Sequence, residues 1–243
     1  MARVHAKNSI SGLVGKVVYK TLNGAQIIQS RPKKFKQTAA TKVSSAAFLQ
    51  CSQWTKTLRL GLTPFLVGLT DSFMYRRLTG QCYQALLNAT TLPVDQRTFL
   101  DTDMSALAGF EWNTHSPFAH FCTVPITTTR NALRQVTVTV PEIHPTTDLQ
   151  FPDHTSHAEL LVYVYALNFE PNAPTADACW VLPIAKNGPT LPPAVWTTPP
   201  LPENYAVVVS AKLLYYEANR LTARHYVNSK QLNPARILWM GTT

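Results

Sequence analysis

The chain has 243 residues and a formal net charge of +9 at pH 7, from 22 Lys and Arg residues against 13 Asp and Glu residues. Hydrophobic residues make up 45% of it, but charged residues only 14%, well below the roughly 25% of ordinary soluble domains. No apolar run reaches the roughly 20 residues of a membrane span, and no signal peptide is evident. We therefore expect a globular protein of the cytoplasm, or of a particle assembled there, with no membrane span.

The charge is divided unevenly along the chain. Eleven of the 22 basic residues precede Asp71, which is the first acidic residue. The other 11 basic residues and all 13 acidic residues lie from position 71 onward. This asymmetry predicts an N-terminal segment that meets an anionic partner: nucleic acid, a membrane surface or the acidic face of another subunit.

The first predicted element is a β-hairpin over residues 13–30. Two β-branched runs flank Asn23-Gly24, the strongest short hairpin signal, and a basic connector follows. We assign residues 1–37 to a basic arm. An isolated hairpin is only marginally stable in water, so docking on a neighbouring subunit by strand addition is expected from Val17, Val18, Ile27 and Ile28. The residues predicted to contact an anion or nucleic acid are Arg31, Lys33, Lys34 and Lys36.

A helical segment is predicted over residues 38–92. The spacing of Val43, Ala47, Cys51, Trp54 and Leu58 is that of one helix face. This first helix should begin at a Thr38 or Thr41 cap and end before Pro64. A second helix is expected from Thr63 to Leu78, stopping at Thr79-Gly80, and a short third helix over 81–89.

Residues 93–243 have the pattern of a β domain. Six strands are predicted, over 134–140, 158–169, 178–185, 205–217, 223–229 and 235–241. With no helical pattern between them, they indicate an antiparallel β-sandwich, immunoglobulin-like or jelly-roll-like, within an α+β chain. A proline-rich loop over 187–202 has no assigned role, although its Trp196 is a candidate contact residue.

The sequence has no motif for catalysis. GxSxG, Walker and HExxH patterns are absent, and the four cysteines form no CxxC pair. His154 and His157 with Asp153 form a weak metal candidate, and solvated loop histidines are the better interpretation. The sequence therefore predicts no catalytic residue, no metal and no cofactor.

Three stretches together resemble a protein family without an assigned activity that is common in Bacteroidota genomes. They are residues 15–45, 107–118 and 205–241. The resemblance implies a basic N-terminal hairpin, helices, a β-rich C-terminal half and a bacterial, non-secretory origin. It transfers no catalytic residue.

These features predict a non-enzymatic structural protein that self-assembles, as a subunit of a phage-like particle or filament, with other copies of itself as partners. The alternative is a nonspecific nucleic-acid-binding protein that uses the same basic arm. A third hypothesis is a carbohydrate- or surface-binding module using Trp196, which the missing signal peptide weakens.

Overall fold

The structure is a computed structural model that describes residues 3–5, 10–22, 25–31, 36–89, 92–170, 173–219 and 223–243. The chain divides into two compact units, Met1–Lys42 and Val43–Thr243, called unit 1 and unit 2 below. The fold is α+β, with more strand than helix, and every strand pair in the described part is antiparallel.

Unit 1 contains a four-stranded sheet in the order β1-β2-β3-β4. Its strands are β1 (Arg3–Val4), β2 (Ile10–Val14), β3 (Val17–Leu22) and β4 (Ala25–Ser30). The pairing of Leu22 with Ala25 confirms the predicted hairpin; its turn, Asn23-Gly24, lies outside the described residues. A second tight turn joins β2 to β3, where Gly15 has a φ of 57° as a two-residue hairpin loop requires.

The long helix α1 (Ala39–Gly61) begins and ends close to where the sequence predicted. The Thr38 hydroxyl accepts a hydrogen bond from the Thr41 amide at 3.2 Å and so caps the first turn. Ala47, Cys51, Trp54 and Leu58 are buried as predicted, whereas Val43 is exposed. No helix in the described part of the chain is long and apolar enough to cross a membrane.

The second predicted helix is wrong in its boundaries. The chain forms one turn, α2 (Thr63–Leu66), breaks at Val67-Gly68, and resumes as α3 (Met74–Asn88). Val67 and Gly68 have positive φ values of 51° and 70°, which end a helix. Thr79-Gly80 does not end α3, because Thr79 is buried and its hydroxyl forms a 2.9 Å hydrogen bond with the hydroxyl of Thr55 in α1.

Two 3-10 turns, Val94–Gln96 and Met104–Leu107, and two one-turn helices, α4 (Phe118–Phe121) and α5 (Pro145–Asp148), connect the helices to the strands. The remaining strands are β5 (Thr127–Arg130), β6 (Val136–Val140), β7 (His157–Leu167), β8 (Ala176–Ala185), β9 (Ala194–Thr197), β10 (Ala206–Asn219), β11 (Ala223–Tyr226) and β12 (Ala235–Thr242). Six of them correspond to the six predicted strands. The sequence missed β5 and β9, and β9 lies inside the proline-rich loop.

These strands form two sheets in unit 2. In the five-stranded sheet, β10 pairs with β7 on one side and with β12 and then β11 on the other, and β8 lies outside β7. The three-stranded sheet has the order β5-β6-β9.

The five-stranded sheet is packed on both faces. On one face, Tyr163, Tyr165 and Val208 join a hydrophobic cluster with residues of α1 and α3. On the other face, Val162, Val164 and Val207 pack with Val136 and Val138 of the small sheet. Alternate residues along β7 and β10 therefore serve opposite layers, as the period of two of a strand requires.

Lys212 is a buried charge on the helix-covered face of β10. Its side chain is 2% exposed, and its Nζ donates to the carbonyl of Phe65, at the end of α2, at 3.0 Å. Burial lowers the pKa of Lys212 from 10.5 to about 8.

Candidate subunit interface

The sheet of unit 1 has no core. None of the described residues of β1 to β4 is buried, and Val4 and Ile28 are 73% and 59% exposed. Large apolar side chains left in water on a sheet mark a surface that another layer or chain would cover.

The two faces of this sheet differ in charge. Residues paired directly across an antiparallel ladder share a face, so the register assigns each side chain to one side. Arg3 and Lys20 lie on the same face of the sheet, which is called the basic face below. The opposite face has no charged strand residue and is called the apolar face; it consists of Val4, Ile10, Gly12, Val14, Val17, Tyr19, Thr21, Gln26, Ile28 and Ser30.

The structure divides the four predicted docking residues between these faces. Val17 and Ile28 lie on the apolar face, and Val18 and Ile27 lie on the basic face. The strand β3, which carries the two valines, is flanked by β2 and β4, so its backbone groups are already used in this sheet.

Backbone direction distinguishes the two isoleucines. The amide of Arg31 donates to the carbonyl of Lys16 at 2.7 Å, which continues the β3–β4 ladder. Because backbone groups alternate in direction along a strand, Ile27 and Gln29 point their N–H and C=O groups toward β3. Gln26, Ile28 and Ser30 point theirs away from the sheet.

Two of the four predicted anion-contact residues lie in the described part of the chain. Arg31 and Lys36 are described and exposed, whereas Lys33 and Lys34 lie outside the described residues.

Unit 2 also presents a free strand edge. β8 pairs with β7 along ten residues, and no strand pairs with its other side in the described part of the chain. The amide of Lys186 donates to the carbonyl of Ser156 at 2.8 Å and continues this ladder. By the same alternation, Asp177, Cys179, Val181 and Pro183 direct their backbone outward.

This edge lacks most of the usual protection against strand pairing. Natural edge strands carry lysines, bulges or prolines, but β8 contains no basic residue and one proline, Pro183. The side chains of Asp177, Cys179 and Val181 are exposed. Asp177 accepts a hydrogen bond from the Tyr163 hydroxyl at 3.0 Å. The sequence analysis predicted this strand but not its edge position, although a proline inside a strand pattern is a signal for an edge.

Several titratable groups outside these surfaces form structural pairs. Glu159 of β7 is buried and accepts hydrogen bonds from Arg224 and Tyr226 of β11, which ties together strands on either side of β10. His157 stacks on Tyr216 at 5.1 Å. Within the described ranges, no three His, Cys, Asp or Glu side chains are grouped to hold a metal ion.

Trp196 and one cleft of unit 2 are lined mainly by apolar groups. Trp196 of β9 stacks on Trp180 of β8 at 6.2 Å and joins the cluster between the two sheets. A cleft of about 400 Å³ in unit 2 is lined by Trp54, Phe99 and Phe169, and Glu170 is the one charged residue among its described lining.

Comparison of the chain with protein-family models, curated proteins and solved structures gives no match.

Proposed function

We propose that the protein is a non-enzymatic structural subunit that self-assembles, with the N-terminal sheet of one copy docking on a neighbouring copy. The observation that carries this proposal is the coreless sheet of unit 1, which leaves apolar side chains in water on both faces. Fully covering a Val or Ile side chain contributes about 1.5–3 kcal/mol. Covering several of them on the apolar face therefore favours association.

Charge supports the same conclusion. The first 70 residues have no carboxylate, whereas the remainder of the chain has 13 against 11 basic residues. Arms that share one sign repel each other, and an arm and the rest of a second copy attract each other. The protein would use its own second half as the anionic partner.

The proposal includes a finer fold assignment and a setting. The two sheets of unit 2 share a hydrophobic cluster, and we assign them to a sandwich of immunoglobulin-like or jelly-roll-like type. A phage-like particle or a filament, assembled in a bacterial cytoplasm, is the setting in which such a subunit would act.

Light scattering after size exclusion tests the proposal. The full chain should form oligomers or polymers, and a chain lacking residues 1–37 should be a monomer that keeps its helices and strands. This deletion retains Thr38, the cap of α1, so the shortened chain should still fold, and a loss of assembly can be assigned to the missing residues. Lys20→Gln, on the basic face, should assemble as the wild type does. A full chain that stays monomeric at high concentration would refute self-assembly.

Nucleic-acid binding by the basic segment is the competing function. It predicts tight, salt-sensitive binding of DNA or RNA that is weakened when Arg31 and Lys36 are replaced by alanine. Filter binding at two salt concentrations distinguishes the two, because a purely structural arm shows no such dependence on these residues.

A further inference from the structure

In the described part of the chain, β4 of unit 1 and β8 of unit 2 are both edge strands with one side that pairs with no other strand. The edge of β4 presents Gln26, Ile28 and Ser30, and the edge of β8 presents Asp177, Cys179 and Val181. Each edge offers three residues spaced two apart, each with an outward N–H and C=O. Two such edges match in number and spacing the backbone groups of an antiparallel ladder.

Pro183 limits which part of β8 can accept a strand. It lies at the next outward position after Val181 and has no N–H to donate. A ladder that includes Pro183 loses a hydrogen bond, so residues 177–181 are the complete acceptor segment.

Charge selects the orientation. Arg31 follows β4 directly, and Asp177 is the one charged residue of β8. An antiparallel arrangement places the Arg31 end of β4 beside Asp177, and a parallel one separates them by the length of the strand. The antiparallel arrangement therefore places the basic end of β4 next to the acidic end of β8, with the two side chains on opposite faces of the ladder.

From these constraints we propose that β4 of one copy adds antiparallel to the β8 edge of a second copy, with Ser30 opposite Asp177, Ile28 opposite Cys179 and Gln26 opposite Val181. This pairing rests on the proposed self-assembly and assigns one contact within it, the one between strand edges. It also brings the exposed side chain of Ile28 against those of Cys179 and Val181.

The native residue Cys179 can be used to test this register by disulfide crosslinking. Cys179 is exposed, whereas Cys51, Cys82 and Cys122 are buried. In the variant Ile28→Cys, the new thiol would lie opposite Cys179 of the second copy. Directly opposed residues in a hydrogen-bonded antiparallel pair have Cα atoms about 5.5 Å apart, within the range that a disulfide spans.

The experiment is oxidation of the assembled full-length variant with diamide, followed by non-reducing gel electrophoresis. Ile28→Cys should give a dimer and a ladder of larger species that disappear on reduction and in Ile28→Cys with Cys179→Ser. The matched control is Ile27→Cys, whose side chain lies on the other face, and it should give at least tenfold less dimer. Equal crosslinking by both variants, or a bond formed only within one chain, would overturn the pairing.

A second pair of variants tests the edge without cysteine chemistry. Val181→Pro removes one outward N–H and leaves the ladder to β7 intact, as Pro183 already does. Val181→Thr keeps the N–H. Val181→Pro should raise the concentration needed for assembly at least tenfold, and Val181→Thr should change it less than threefold; equal effects contradict the pairing.

The outcomes separate the two proposals. If wild-type protein assembles through residues 1–37 but Ile28→Cys forms no crosslink, the β8 edge is the wrong acceptor and self-assembly stands. If wild-type protein is monomeric, self-assembly itself fails.

Discussion

Replacing Lys212 by methionine should stabilise the protein at neutral pH. Lys212 is 2% exposed on the helix-covered face of β10, and the hydrogen-bond partner of its ammonium group in the described structure is the carbonyl of Phe65. No described carboxylate oxygen lies within 4.0 Å of it. Methionine has a similar length, fills the same space and has no charge to desolvate.

The magnitude follows from the pKa of Lys212, which burial lowers from 10.5 to about 8. Each tenfold change in proton affinity is worth about 1.4 kcal/mol, so the buried charge costs about 3 kcal/mol below pH 8. Losing the hydrogen bond to Phe65 costs about 1 kcal/mol. The expected net gain in Lys212→Met at pH 7 is therefore about 2 kcal/mol.

The gain should disappear as pH rises. Between pH 8 and 10.5 the unfolded lysine binds a proton that the native one has released, so wild-type stability rises with pH in this window. Above it the native lysine is neutral, and the variant should be less stable than wild type by about 1 kcal/mol because only the lost hydrogen bond remains.

Urea unfolding of wild type and variant at pH 7 and pH 10.5, followed by tryptophan fluorescence, measures both values. Lys56→Met, at an exposed position of α1, is the control and should change stability by less than about 0.5 kcal/mol. Destabilisation by Lys212→Met of equal size at both pH values would show that the charge is compensated in the native state.

Two further stability predictions concern the helices, both measured by thermal and urea unfolding. A Cβ at Gly61 would overlap the ring of Tyr165, whereas one at Gly80 in α3 meets nothing within 4 Å. Gly61→Ala should therefore destabilise the protein by about 1–3 kcal/mol, and Gly80→Ala should stabilise it by up to about 1 kcal/mol. A stabilising effect of Gly61→Ala would contradict the packing of Gly61 against Tyr165. Thr55→Val leaves the buried hydroxyl of Thr79 without its cross-helix partner and should cost about 1–2 kcal/mol; the double variant with Thr79→Val should cost less than the sum of the single variants, and strict additivity would show that the bond contributes nothing.

The strands were predictable because their pattern is strong and local. Segments of seven or more residues that contain β-branched or aromatic side chains identified β6, β7, β8, β10, β11 and β12. The two missed strands are four residues each: Thr127–Arg130 lacks large apolar residues, and Ala194–Thr197 lies among prolines. Both pair with β6, so a partner distant in sequence determines them.

The continuity of α3 through Thr79-Gly80 and the burial of Lys212 both depend on tertiary contacts. Thr79-Gly80 has the local pattern of a helix stop, but the bond between Thr79 and Thr55 and the burial of Cys82 and Leu86 keep α3 continuous. Lys212 lies in phase with Ala206 and Val208, on the face that packs against the helices. Periodicity alone assigns that face to the interior, but it does not reveal that a charged residue would be accepted there.

The candidate site was predictable in kind but not in geometry. A hairpin with β-branched residues and no carboxylate indicates an arm that needs a partner, and the pairing of Leu22 with Ala25 confirms the hairpin. Which of its residues can extend a ladder depends on the strand order, which the sequence does not contain. Val17 and Val18 cannot extend a ladder because β3 lies between β2 and β4, and Ile27 cannot because its backbone groups point toward β3. In the described part of the chain, Ile28 is the one predicted docking residue whose backbone groups point outward from an edge strand.

The pairing of β4 with β8 also restricts the symmetry of the proposed assembly. Donor and acceptor edges are different surfaces, so the contact is head-to-tail and not a symmetric exchange between two copies. Each internal copy in a series of such contacts uses both edges, and the two terminal copies of an open series each keep one free edge. Growth then ends only if the rotation between neighbours closes a ring; otherwise it produces a filament. In crosslinked Ile28→Cys, a closed ring should give a ladder that ends at one defined size, and a filament should give a ladder without an upper limit.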